Sequence, residues 1–311
     1  MTLIMQPTSE NIWLAARNLK DGALIGLPTE TVYGLAADAE NESAVRRIYE
    51  VKGRPFDHPL IVHIGSIEYL EKWARDIPEY AVTLAERFWP GPMTLILKRT
   101  EIAKNFVTGG QESIAIRWPS NEVALSILKK FHEFGGNGLA APSANKFKKV
   151  SPTSAKNVME DIGNSLIINF DMIIDSGNCD IGIESTIINC LGADPTTLRP
   201  GAINLELDSE PPQEIKYSGN FERHYSPHTL VSINTLPKEG EGFIGLDSIT
   251  TPQGVIRLLS AVDDKDFARN YYQALRKADE MNLSKVHIHI PERGAYARAI
   301  SDRIMKSAGR G

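Results

Sequence analysis

The chain has 311 residues, 42% of them hydrophobic and 23% charged, with a formal net charge of −5. This composition excludes a disordered tail or a fibre, and the length makes two domains the default, because single cores stop growing at about 250–300 residues. No apolar run approaches the ~20 residues of a membrane helix, Met1 to Glu10 carry no basic start before an apolar stretch, and the two cysteines, Cys179 and Cys190, fit no metal spacing. A reduced, cytoplasmic chain with no membrane attachment is therefore expected.

Along the first two hundred residues, short apolar runs alternate with helical patterns. The sequence predicts strands over 23–27, 60–64, 94–97, 113–116, 139–141, 166–174 and 185–189, rich in β-branched residues and bounded by Gly, Pro or Asp. Residues 9–20 open on a cap-type residue and stop before Asp21 and Gly22. Residues 42–51, 66–74, 78–89, 121–133 and 153–162 follow the same helical grammar. Strands interleaved with helices make a layered α/β domain. Residues 206–228 then mix Pro, Gly and charge with no apolar period, which reads as a linker. Beyond it, strands at 230–233, 242–246 and 285–290 and helices at 264–281 and 296–308 form a second, small α/β unit. The expected division is 1–207 for the first domain, 208–228 for a linker or lid, and 229–311 for the second domain.

Charge is unevenly spread. Residues 43–156 hold 17 Lys and Arg against 11 Asp and Glu, whereas 1–42 hold 2 against 6 and 157–311 hold 15 against 22. A basic middle in an acidic chain points to a local anionic partner, phosphate or RNA, or else to solvated helix faces.

Several segments place polar side chains at strand ends, where open α/β sheets bind ligands. Thr29, Glu30, Thr31 and Tyr33 follow the first strand and are more polar than a turn requires. Lys52-Gly53-Arg54-Pro55 ends a helix. Its lysine and arginine suit phosphate oxygens, but cations in a last helical turn also complement the helix dipole, and spacing leaves both readings open. No Walker loop occurs. His63, in an apolar run, is either a satisfied core residue or projects into a pocket beside Lys52. Arg117 ends a buried strand and needs an anionic partner, which a carboxylate-bearing small molecule would supply. Ala140 to Asn145 are small enough to let a ligand approach the backbone, and Ser151 and Thr153 open a helix, so the stretch is a plausible phosphate seat. A Ser or Thr nucleophile is the competing idea, with no His–Asp pair accompanying it. Glu184, Ser185 and Thr186 start a strand, Arg199 precedes a Pro-Gly break, and His224-Tyr225-Ser226-Pro227-His228 are either anchors in the linker or a lid over a ligand.

Taken in order, PTETVYGL, KGRPxxxPL, WPGPMTLIL, IAIRWP, APSANxxxxxSPT, IESTI, LRPG and RHYSPH resemble the YrdC-type threonylcarbamoyl-AMP synthases over residues 8–205. The linker and C-terminal unit are similar to the longer, two-domain members. The resemblance implies an α/β fold with a twisted, open, mixed sheet, flanking helices and a basic concave face, followed by a small Rossmann-like domain. It implies a nucleotidyltransferase that converts L-threonine, bicarbonate or CO2 and ATP to L-threonylcarbamoyl-AMP, pyrophosphate and water, for the t6A modification of tRNA. On this sequence it implies that Thr31, His63, Arg117, Ala141 and Ser185 hold threonine. Lys52, Arg54, His58, Ser113, Ser143, Ser151, Arg199 and Tyr225 would hold ATP or its phosphates, with Asn145 between the two groups.

The resemblance further implies that Lys52 and Arg54 carry the catalytic electrostatics. Mg2+ would be held mainly by ATP phosphates and water, with no protein metal site. Arg117 would pair with the threonine carboxylate, and the strap 224–227 would close over a hydrolysable product. Implied partners are the downstream threonylcarbamoyl-transferase machinery and tRNA or double-stranded RNA. His58 stands where asparagine is expected in most relatives, Asn220-Phe221 replace a usual Met, and the C-terminal unit is short. Two other readings stay beside this one. An RNA-binding regulator would use the basic segment 43–156 and weaken steeply with salt. A carbamoyl transferase of the hydrogenase-maturation kind would need zinc-finger and acylphosphatase segments and more than two cysteines.

Overall fold

The computed structural model describes residues 3–205, 207, 215–220 and 224–309, so parts of the expected linker, 208–214 and 221–223, lie outside the described residues. The chain opens with β1 (Ile4–Met5), α1 (Ser9–Lys20), β2 (Ile25–Leu27), β3 (Gly34–Asp38), α2 (Glu42–Lys52) and β4 (Ile61–His63). It continues through α3 (Leu70–Trp73), β5 (Ala74–Arg75), α4 (Glu79–Phe88), β6 (Met93–Arg99), α5 (Asn105–Thr108), β7 (Ser113–Arg117) and α6 (Glu122–Glu133). The first unit is completed by β8 (Leu139–Ala140), α7 (Ala155–Ile162), β9 (Met172–Ile174), β10 (Thr186–Asn189) and β11 (Thr196–Arg199). Thr8, Asn41, Asn121 and Ser154 each accept a backbone N–H of the first turn, so the caps of α1 and α7 lie one residue from the Ser9 and Thr153 that the sequence suggests.

The large sheet runs β1-β9-β2-β3-β8-β4-β7-β6-β10-β11, with β5 on β6. It is mixed: β4 pairs β7 in parallel, while β3, β8 and β4 are joined antiparallel. Both faces are covered, so β3 and β7 are buried at every position. Leu19 of α1 and Ile127, Leu128 and Phe131 of α6 cover one face. Val45 and Ile48 of α2, Ala81 of α4 and Val158 of α7 cover the other.

Several expectations give way. The region read as a strand over 166–174 is a strand only at β9, and Ile167 and Ile168 are 50% and 60% exposed in a turn before it. The helix expected over 66–74 is a 3-10 turn, a short α3 and β5. β3 lies inside the motif read as a loop, because Gly34-Leu35-Ala36-Ala37 lacks the β-branched residues that mark strands.

The second unit adds β12 (Leu230–Ile233), β13 (Gly242–Leu246), β14 (Ile256–Ala261), α8 (Asp264–Glu280), β15 (Lys285–Ile288) and α9 (Ala297–Ser307). Its sheet is all-parallel in the order β12-β15-β13-β14. Phe267, Tyr271, Tyr272 and Leu275 of α8 and Ile300 and Ile304 of α9 form its core. Val32, Val150, Ile183 and Tyr225 from outside the unit join the same cluster. Arg276 of α8 adds a two-pronged ion pair to Asp161 at 2.9 and 2.6 Å, and Gln273 bonds Thr153 and Asn157. Among the described residues, no helix is long and apolar enough to cross a membrane.

Gly182 lets the backbones of the two units come close together. Its φ is +80°, and a Cβ there would lie 2.5 Å from the Cα and carbonyl oxygen of Arg269. Left-handed backbone and a backbone clash together predict that Gly182→Ala lowers stability by about 2–4 kcal/mol. Chemical denaturation of the full chain checks this, and a change under 1 kcal/mol would show that the contact gives way.

Candidate active site

The end of α2 sets the first wall of the site. Gly53 takes φ +64° as the left-handed cap, which turns Arg54 back so that its N–H bonds Tyr49 O. Lys52 therefore leaves the last helical turn sideways. Its Nζ donates to the carbonyls of Ser143 and Asn145, each at 2.6 Å, and so holds the loop after β8 in place. The carbonyl at the end of α2, Val51 O, receives Lys146 Nζ instead. Lys52 thus sits in the last turn of α2 and lines the cavity as well.

Arg54 donates from Nη2 to Pro59 O at 3.0 Å and lies over the Phe147 ring, 5.9 Å from its centroid. Arg199, at the end of β11, donates to Ser185 O, Ser185 Oγ and Ser218 O, each at 3.0 Å. These three buried cations face one cavity, which Thr31, Arg117, Ser143 and Tyr225 also line.

The opposite end of the cavity is built on β4 and β7. Arg117 donates from Nη1 to Thr31 Oγ1 at 2.8 Å, and its Nε reaches Gly91 O at 3.4 Å. Its Nη2 lies 2.7 Å from Glu30 Oε1, a close ion pair whose angles do not align a hydrogen bond. His63 is beside it on β4, with Nδ1 3.3 Å from Ile61 O. Ser185 Oγ is 2.8 Å from Thr94 Oγ1. The strap closes the remaining side. Tyr225 has φ +57°, is buried, and turns its ring against the Arg303 guanidinium, 5.2 Å away.

Of the residues singled out from the sequence, Thr31, Lys52, Arg54, His63, Arg117, Ala141, Ser143, Asn145, Ser185, Arg199 and Tyr225 line this one cavity. His58, Ser113 and Ser151 do not. His58 sits behind Phe147, 6.1 Å between rings, and Ser113 opens on a neighbouring cleft with Pro59 and Ser218. Ser151 donates its hydroxyl to Glu184 Oε1 at 2.6 Å. Glu184, Phe147 and Arg303 were not assigned a role from sequence. Arg303 carried a readable signal: it sits at helical spacing among Ala299, Ile300, Ile304 and Ser307, the buried stripe of α9.

Burial dominates the protonation of the site. It pulls Lys52 well below the ordinary lysine range, helped by the charge of Arg54, and lowers Arg54 to about 10. It also lowers His63, beside Arg117, and His224 to about 3, so both imidazoles are neutral near pH 7. Burial pushes the Glu184 carboxyl up, but Arg303, Arg199 and the Ser151 bond outweigh it and hold the pKa at about 2. Arg54 Nε, Asn145 Oδ1 and the Tyr225 hydroxyl have no hydrogen-bond partner among the described residues. Buried polar atoms without partners are rare, and here three belong to the lining of one cavity. The cations and hydroxyls that converge on the cavity suit positioning and charge compensation.

Comparison with known proteins places this architecture. Residues 17–201 match the Sua5, YciO and YrdC family model described as telomere recombination. Residues 184–309 match that of the threonylcarbamoyl-AMP synthase C-terminal domain. The threonylcarbamoyl-AMP synthase of Pyrococcus abyssi is 38% identical over a 330-residue alignment covering 96% of this chain and 94% of the relative. That of Bacillus subtilis is 45% identical over 193 residues, 62% of this chain and 54% of the relative. The crystal structure of P. abyssi Sua5 complexed with L-threonine matches with a TM-score of 0.87 at 35% identity, over 100% of this chain and 98% of that one.

Proposed function

This chain belongs to the threonylcarbamoyl-AMP synthase family in its long, two-domain form, and from that membership we infer that its cavity joins L-threonine, bicarbonate or CO2 and ATP into L-threonylcarbamoyl-AMP. The observation that carries the reading is the pairing, in one cavity, of three buried cations with Arg117 held on Thr31. The relative from P. abyssi was solved with L-threonine, which supports the same amino acid here.

In this reading the threonine amine captures CO2 as a carbamate. A carbamate oxygen attacks the α-phosphorus, the bond to the β-phosphate breaks, and pyrophosphate leaves. Lys52, Arg54 and Arg199 compensate the charge that moves onto the phosphate oxygens. Ser143, Asn145 and Tyr225 orient the nucleotide, and Ser151 stands behind them with its hydroxyl given to Glu184. His58 and Ser113 stand one layer back, so their contact with ATP is the outermost part of the proposal. Arg117, Thr31, His63, Ala141 and Ser185 hold threonine. The strap at His224 and Tyr225 shields the mixed anhydride from water.

The oxygens of Glu184, the carboxylate lining the cavity, are engaged by Ser151, Tyr272 and Arg303. Mg2+ accordingly enters as part of the nucleotide complex, held by phosphate and water. We also propose the domain limits 1–207, 208–228 and 229–311, a cytoplasmic location, and delivery of the product to a tRNA threonylcarbamoyl-transferase machinery. The RNA-binding alternative is not favoured, because Lys52, Arg54 and Arg117, three of the cations that make the middle segment basic, are buried in the cavity.

Purified protein given MgATP and bicarbonate should release pyrophosphate only when L-threonine is present. Threonine-independent release, or none, overturns the reading. A finer test uses Tyr225→Phe. The hydroxyl has no partner among the described residues, so its loss should leave stability within about 0.5 kcal/mol. If it bonds a phosphate or ribose oxygen, the KM for ATP rises roughly tenfold. An unchanged KM removes Tyr225 from the nucleotide site.

A further inference from the structure

One charge in the cavity works against the proposed ligand. Glu184 lines the same wall as Lys52, Arg54 and Arg199, and a bare carboxylate there would repel a triphosphate. It is not bare. Its Oε1 accepts Ser151 Oγ at 2.6 Å, and its Oε2 accepts the Tyr272 hydroxyl at 2.9 Å and Arg303 Nε at 2.8 Å. Tyr272 is on α8 and Arg303 on α9, so two of the three partners come from the C-terminal unit. Arg303 is fully buried. Among the described residues no other cation forms an ion pair with Glu184, and Arg303 also pairs with Asp302. Arg199 spends its guanidinium on Ser185 and Ser218.

We propose that Arg303 is a positioning residue of the nucleotide site, supplied by the C-terminal unit, whose charge cancels that of Glu184 so that the cavity accepts the triphosphate. The proposal rests on the reading of the cavity as an ATP site. It gives the C-terminal unit an electrostatic part in nucleotide binding beyond packing. Docking of the unit has other supports that do not line the cavity: the Arg276–Asp161 pair, the Gln273 bonds to Thr153 and Asn157, and the close approach at Gly182. Loss of Arg303 is therefore expected to alter the charge of the site without undocking the unit.

A charge role and a structural role separate in a double-variant cycle. In Arg303→Met, the side chain still packs under the Tyr225 ring, but Glu184 and Asp302 both lose their ion pair with Arg303, Asp302 keeping that with Lys306. In Glu184→Gln, the amide can give its N–H to Ser151, whose hydroxyl accepts, while its oxygen accepts from Tyr272 and Arg303. MgATP binding to the full chain is measured by calorimetry without threonine. Arg303→Met is expected to weaken it by about tenfold or more. Glu184→Gln alone should bind at least as tightly as the unaltered chain. Glu184→Gln combined with Arg303→Met should recover to within about threefold, although it has no more contacts between the units than Arg303→Met alone.

A double variant as weak as Arg303→Met, or weaker, would show that the pair matters only as a fastener and overturns the proposal. Unchanged binding in Arg303→Met does the same. If Arg303→Met does not fold, Glu184→Gln decides, because weaker binding than the unaltered chain contradicts a repulsive carboxylate. Failure of the unaltered chain to bind MgATP at all would instead sink the ATP-site reading on which the proposal stands.

Discussion

Threonine-dependent pyrophosphate release falls by about 10^3-fold or more in Lys52→Ala combined with Arg54→Ala, while the secondary structure is retained. Both side chains are buried, and both face the cavity. Lys52 has a double part. Its ammonium is a cation for the phosphates and also a strut that fixes the carbonyls of Ser143 and Asn145. Arg54 spends one nitrogen on Pro59 O and leaves Nε without a protein partner. Removal of a single oriented donor in such a site costs about 10^2–10^3 in rate, and donors that act as a unit do not add. Lys52→Met keeps the packing of the stem but loses both the charge and the strut. A coupled assay for pyrophosphate checks the result. A double variant within tenfold of the unaltered chain would remove the cation wall from the chemistry.

The same residues show how much could be read before the structure. The interleaving of strands and helices, the two units and most helix starts were legible, because each depends on neighbours a few residues away. Lys52 was not decidable, because the carbonyls that define its role belong to Ser143 and Asn145, over ninety positions along the chain. The resemblance supplied what spacing could not, by bringing the motifs to one site. β14 was missed because it follows a Pro- and Gly-containing loop and lies at a sheet edge, where its half-buried residues show no clean alternation. Glu184 and Arg303 lay within segments read from the sequence but were given no role. Each looked ordinary within its own segment, and their meaning is a contact between two units.

Arg117→Gln tests the other arm of the cavity, and its effect should divide cleanly between two measurements. In the proposed reaction Arg117 receives the threonine carboxylate, yet it already lies 2.7 Å from Glu30, which is itself buried. The substrate must therefore share one guanidinium with a resident carboxylate, which Nη1, Nη2 and Nε together make possible. Loss of the charge should raise the KM for threonine about 100-fold and change the KM for ATP by less than about threefold, since the cation wall is untouched. It should also strand Glu30. An unpaired buried carboxylate costs about 3–5 kcal/mol, which lowers the Tm by on the order of 10 °C in a chain of this size. Glu30→Gln added to Arg117→Gln removes the stranded charge, so the Tm should largely return while the threonine KM stays high. If both recover together, Arg117 serves the fold alone and threonine is held elsewhere. If the KM rises for ATP as strongly as for threonine, the two arms are not separate.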